Sequence, residues 1–331
     1  MQRLIWTVIA AFAMAIVLGP IVIPWLKRMH FGKEIYELGP QSHKKKQGTP
    51  QMGGIIFAVP ALIATLAFCY KDGRWDFLLY VLLSAVGFGL IGFADDFLKV
   101  KRHAAEGLTP RQKMLPQIVI AIALSVWAYL NPNIGGTWTV PFFNVTWNLG
   151  WFYIPVMLFV MVGTVNSANL LDGLDGLLGG CSLFDFATMA LICVAMAAAD
   201  PANAGEYLNV GIFAGAMVGG LMGYLRYNSH PARVFMGDVG SFFIGGALVG
   251  VTTVTRLSLL LPVIALAMVV SSLSDLIQFA YFRATHGKRF FKMAPLHHHF
   301  ELSGMPETQI VAMYYIVTVV LCLLALLNFV A

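Results

Sequence analysis

Ten long apolar runs, separated by short polar or basic stretches, constrain this chain more than any other feature. They cover 4–26, 53–70, 77–94, 115–130, 151–168, 177–199, 208–225, 239–255, 257–281 and 309–330. A helix needs roughly 17–25 apolar residues to cross a bilayer. The composition agrees: 59% of the 331 residues are apolar and only 11% are charged, against roughly 45–50% and 25% in soluble domains. Soluble globular and intrinsically disordered proteins are both excluded. The chain reads as one integral-membrane domain over 1–331, all-α and polytopic, with ten transmembrane helices. The first run exceeds a signal-peptide core and lacks a small-residue cleavage site, so it counts as a span. Pro262 and the polar stretch Ser271, Ser272, Ser274 and Asp275 predict a kinked or broken ninth helix. Between 131 and 150, GGTWTVPFFNVTW alternates like a small β-hairpin and contains a glycosylation sequon at Asn144 that reads as coincidental. The four cysteines all lie in apolar runs without CxxC spacing and read as small buried hydrophobes.

Ten spans put both termini on one side, and the basic residues choose which. Loops after the odd-numbered spans hold 17 of the 21 Lys and Arg, leaving only Arg3, Lys71, Arg74 and Arg256 on the other face. By the positive-inside rule the rich face is cytoplasmic, both termini are extracytoplasmic, and the hairpin is periplasmic. All eight histidines and ten of the 16 carboxylates also fall on the basic face. An orientation signal alone requires neither, so the inner loops, at about 27–52, 95–114, 166–176, 226–238 and 282–308, are candidates for a reaction site.

Each loop has a chemical reading and a plainer one. The third span ends in Asp95 and Asp96, at a helix C-terminus where the dipole disfavours negative charge. Adjacent acids repel, which favours a shared proton or a cation; the plainer reading is a solvated helix end. In Asn166-Ser167-Ala168-Asn169-Leu170-Leu171-Asp172-Gly173-Leu174-Asp175-Gly176 the Asn and Asp residues recur every three positions, which predicts one polar edge of a tight helical turn suited to hydroxyls, a nucleobase or a metal. Asp-Gly pairs are also ordinary turn formers. Asn228 to Ser241 (NSHPARVFMGDVGS) leads into the eighth span, where Asp238 caps a helix N-terminus whose exposed N–H groups could equally cradle a phosphate, and Phe235 either stacks on a base or packs. The stretch HKKKQGTPQMGG, with Lys44 and Thr49, suits a diphosphate but lacks the GK[ST] of a P-loop; Thr109 to Lys113 is a second basic stretch. In MAPLHHHFE three successive histidines diverge too far to share one metal comfortably, so one or two of them are better read as donors to phosphate or orienting groups. Carboxylates for a hard cation, with Lys, Arg and His for oxyanions, are what phosphoryl chemistry with Mg²⁺ requires.

These motifs, in this order from about 39 to 307, closely resemble the polyprenyl-phosphate N-acetylhexosamine-1-phosphate transferases, and MAPLHHHFE resembles the branch that uses a muramoyl-pentapeptide donor. The resemblance implies transfer of phospho-N-acetylmuramoyl-pentapeptide from UDP-MurNAc-pentapeptide to undecaprenyl phosphate at the cytoplasmic face of a bacterial inner membrane. It implies Asp95, Asp96, Asp238, His297 and His298 as catalytic residues, with Mg²⁺ on Asp238. It also implies a donor pocket from Lys44, Thr49, Asn169, Asp172, Asp175, Asn228, Phe235 and Gly237, with Lys113 near phosphate. A sibling transferase for UDP-GlcNAc is the nearest alternative. A transporter is the alternative of another class, but it would hold its ionisable residues at mid-membrane, where only Asp185 and Asp275 fall. The bilayer is the expected surrounding, a second copy of the chain is a candidate partner, and nucleic acid is not expected.

Overall fold

A computed structural model describes residues 1–29, 48–71, 74–102, 107–143 and 145–329. The expected donor-site residue Lys44, its neighbours His43, Lys45, Lys46 and Gln47, and the sequon residue Asn144 lie outside the described residues.

All ten apolar runs are helical. Helices α1 (Gln2–Arg28), α2 (Ile55–Phe68), α3 (Asp76–Lys101), α4 (Pro110–Leu130), α5 (Tyr153–Leu171), α6 (Leu177–Ala199), α7 (Ala204–Asn228) and α8 (Gly237–Val254) follow in order. A 3₁₀ turn (Ser258–Leu260) and the short α9 (Leu261–Ile264) lead into α10 (Leu266–Ala284), then α11 (Leu296–Glu301) and α12 (Glu307–Leu327). Among the described residues, eight helices are long and apolar enough to cross a bilayer, and the bent pair Ser258–Ile264 and Leu266–Ala284 makes a ninth. The chain is a multi-pass membrane protein. The second run falls short of its expected length: α2 has 14 residues, about 21 Å at 1.5 Å per residue. Its missing turn is Gly53-Gly54, whose N–H groups donate to the carbonyls of Phe235 and Met236 at 2.8 and 2.9 Å.

The ninth run is broken by 84°. The break falls at Ala265, three residues after Pro262, rather than in the serine stretch. Ser271 and Ser274 instead donate along α10 to the carbonyls of Ala267 and Ser271, at 3.0 and 2.7 Å. The predicted hairpin forms from β1 (Thr137–Val140) and β2 (Val145–Asn148), antiparallel with Trp138 opposite Trp147.

Helix α8 is buried along nearly its whole length and forms the centre of the bundle. Small residues let α3 lie against it: Gly92 faces the carbonyl of Asp238, and Ser84 Oγ donates to the Gly246 carbonyl at 2.7 Å. The outer helices leave Trp6, Leu115, Phe159 and Ile316 exposed, as lipid-facing sides require. The four cysteines are buried and unbridged.

Candidate active site at the ends of α3, α4, α5 and α8

Helix α3 runs on to Lys101, so Asp95 and Asp96 sit more than a turn before its end. The expected location at the C-terminus is corrected: Lys99 and Lys101 occupy the last turn, where cations complement the dipole. The basic stretch 109–113 is not a loop either. Thr109 and Gln112 form a reciprocal capping box, with Gln112 N–H to Thr109 Oγ1 at 3.3 Å and Thr109 N–H to Gln112 Oε1 at 3.0 Å, and Pro110 opens α4. Lys113 is thereby fixed on the first turn of α4, its ammonium 5.6 Å from the ring centre of Phe242.

Five charged side chains converge at these helix ends. Lys99 Nζ lies 2.6 Å from Asp95 Oδ2 and 3.3 Å from both Asp96 Oδ1 and Asp238 Oδ2. Lys113 Nζ lies 2.6 Å from Asp238 Oδ2 and 3.2 Å from Asp95 Oδ2. Backbone and amide donors hold the outer oxygens. Leu108 N–H donates to Asp95 Oδ1 at 2.8 Å, Val239 N–H to Asp96 Oδ2 at 3.0 Å, and Asn169 Nδ2 to Asp238 Oδ1 at 2.8 Å. Asp95 and Asp96 are buried and Asp238 is partly open. Carboxylates gathered out of water at this spacing are tolerated because cations stand between them. The three carboxyl groups outnumber the two ammonium groups.

Asp238 lies within the first turn of α8 and its carboxylate points to Lys113, Lys99 and Asn169, so it does not act as a helix cap; Met236 holds the cap position without a side-chain bond. Gly237 precedes it at φ +74°, and a Cβ there would stand 2.5 Å from Asp96 Oδ2 and 2.9 Å from Met52 N. Gly237→Ala should therefore cost about 1–2 kcal/mol of stability from backbone strain alone and displace Asp96. A lowered melting temperature together with reduced turnover checks this.

The polar row of the third loop does not form a single edge. Asn166 and Asn169 belong to α5, the helix ends at Leu171, and a step of three residues drifts around an α-helix of 3.6 residues per turn. Asn166 Nδ2 donates to Gln117 Oε1 at 2.7 Å, away from the aspartates. Asp172 closes α5, its N–H reaching the Asn169 carbonyl at 3.2 Å. Asp175 is buried, with Oδ2 accepting from Ala232 N–H at 3.0 Å, and Asn228 Oδ1 accepts from Gly176 N–H at 3.0 Å. Phe235 N–H donates to the Pro50 carbonyl at 2.8 Å, which brings Phe235 beside Thr49.

His297 and His298 are buried on α11, their ring centres 4.3 Å apart. The His297 imidazole lies against Gly173, and His298 Nδ1 is 3.1 Å from Glu301 Oε2. The sequence reading missed Lys99, Glu301, His230 and Glu307. Lys99 was detectable from its spacing, because an acid and a lysine four residues apart share a helix face. Glu301, three residues after His298, carried the same kind of signal.

A family model described as glycosyl transferase family 4 matches residues 78–256, which include Asp95, Asp96, Lys113, Asn169 and Asp238. The chain is 44% identical over 320 residues to the phospho-N-acetylmuramoyl-pentapeptide-transferase of Caldanaerobacter subterraneus subsp. tengcongensis, covering 96% of each chain. The chain belongs to the phospho-N-acetylmuramoyl-pentapeptide transferases. Members of the same name from Clostridium kluyveri and Clostridium novyi are 42% and 40% identical over 328 residues, spanning 99% of this chain and 100% and 97% of theirs. The match to these relatives spans nearly the whole chain and so extends past the limits of the family model.

Proposed function

We propose that the chain moves phospho-N-acetylmuramoyl-pentapeptide from UDP-MurNAc-pentapeptide to undecaprenyl phosphate, releasing UMP, on the cytoplasmic face of a bacterial inner membrane. The observation that carries this reading is the convergence of Asp95, Asp96 and Asp238 with Lys99 and Lys113 at one end of the bundle. In this reading the chain crosses the bilayer ten times, α2 and the bent pair included, with both termini outside and the hairpin periplasmic.

The site's chemistry suits Mg²⁺. One oxygen from each of Asp95, Asp96 and Asp238 lies within 4.8 Å of the others, and hard carboxylate oxygens are the ligands this ion takes. Asp238, the most open of the three, would hold it, and when bound the ion would neutralise charge on the donor diphosphate. The chain's own groups do the rest. Asp95 positions the acceptor phosphate, with Asp96 completing the pair, and Lys113 and Lys99 turn from the carboxylates toward the phosphate oxygens. The acceptor oxygen attacks the donor's β-phosphorus, the bond from that phosphorus to the bridging oxygen breaks, and UMP leaves with the electron pair. His297 and His298 orient the reacting phosphates, and Lys44, Thr49, Asn169, Asp172, Asp175, Asn228, Phe235 and Gly237 receive the donor nucleotide.

The test is UMP release by purified protein given polyprenyl phosphate and either UDP-MurNAc-pentapeptide or UDP-GlcNAc, with and without EDTA. Release from the first donor only, abolished by EDTA and restored by Mg²⁺, is expected. Release from UDP-GlcNAc alone would select the sibling reaction.

A further inference from the structure

Glu307 opens α12, and its carboxylate reaches another segment of the chain. Glu307 Oε1 accepts from Asp175 N–H at 2.7 Å, and Oε2 lies 3.3 Å from His230 Nδ1. The same His230 nitrogen is 3.2 Å from Asp175 Oδ2. The next residue is tied as well: Gly176 N–H donates to Asn228 Oδ1 at 3.0 Å, and Tyr315 OH, two turns along α12, donates to the Gly176 carbonyl at 2.6 Å. An acid in a first helical turn is ordinary for its dipole, but that role leaves the carboxylate in solvent, whereas this one is 9% exposed and spent on another segment.

The segment it holds sits between the two reactive groups. On one side Asn169 Nδ2 donates to Asp238 Oδ1 at 2.8 Å; on the other Gly173 backs the His297 ring. Glu307 is itself joined to the histidine helix α11 by the short turn 302–306. We infer that Glu307, with His230, is a positioning residue that holds loop 172–176 so that the imidazoles of α11 and the carboxylate–lysine cluster share one frame. This rests on the transferase reading. Reacting groups displaced by about 1 Å can lose up to about 100-fold in rate, so release of the latch lowers turnover; because loop 172–176 also carries Asp172 and Asp175 of the donor pocket, it weakens donor binding as well and leaves acceptor binding unchanged.

Steady-state kinetics of Glu307→Ala, Glu307→Gln and His230→Ala in detergent, with melting temperatures alongside, test the inference. Glu307→Ala should lower kcat about 10- to 100-fold, raise KM for the UDP-linked donor, and keep KM for the polyprenyl-phosphate acceptor within about threefold of wild type. Glu307→Gln keeps an oxygen for Asp175 N–H and should recover most of that loss. His230→Ala, which leaves the Glu307–Asp175 bond intact, should lower kcat by about tenfold and serves if Glu307→Ala does not fold. Wild-type kcat in either alanine variant, or a rise in KM at unchanged kcat, overturns the inference; a Glu307→Gln variant as slow as Glu307→Ala does so as well. No turnover by the wild-type protein would instead sink the transferase reading.

Discussion

Asp238→Asn should reduce turnover by a factor of about a thousand or more, roughly 4 kcal/mol in the barrier, while leaving the protein folded. The asparagine matches the aspartate in shape and retains an oxygen to accept from Asn169 Nδ2, now at 2.8 Å. What disappears is the negative charge that Lys113 and Lys99 approach at 2.6 and 3.3 Å, and the most open of the three carboxylates. The cost to the fold is the loss of a first-turn acid, about 0.3–1 kcal/mol from the dipole, and of the carboxylate charge nearest Lys113, whose ammonium keeps Asp95 at 3.2 Å. Turnover and a melting curve in detergent check both halves. Near-normal turnover would return Asp238 to a structural role.

Gly92→Ala should impair both stability and turnover. A Cβ on Gly92 would run into the carbonyl of Asp238, with Val239 N only 2.7 Å away, and these are backbone atoms that cannot rotate aside. Helices α3 and α8 would have to separate, which at overpacked sites costs about 1–3 kcal/mol. The same separation draws Asp95 and Asp96 away from Asp238, a displacement of the kind that lowers rates up to about 100-fold. Gly163→Ala is the matched control, because nothing lies within 4 Å of a Cβ there. An unchanged melting temperature and rate for Gly92→Ala would show that the close crossing is not required.

The membrane architecture was legible because the apolar runs are long, and a run of that length has no alternative use in water. What the runs do not encode is where helices stop when tertiary bonds decide it. The α2 start is set by Gly53 and Gly54 pairing with Phe235 and Met236, residues nearly 200 positions away. The pairing of Lys99 with Asp95 was readable from its spacing, whereas its approach to Asp238 was not. The acids, the lysine at 113 and the asparagine at 169 were identifiable by type, and the structure gathers them. Asn166 looked equivalent to Asn169 on a period of three but turns to Gln117, because only helical phase separates the two. His230 and Glu307 carried no local signal, since their meaning arises from a contact between segments 77 residues apart.

In the proposed single displacement the phosphosugar passes directly to the lipid phosphate. The most direct measurement follows donor labelled with ³²P at the β-phosphate, incubated with the purified protein with and without undecaprenyl phosphate. Label should enter the lipid in step with UMP release, and without the acceptor neither UMP nor labelled protein should form. UMP released without acceptor, together with label bound to the protein, would contradict the single displacement.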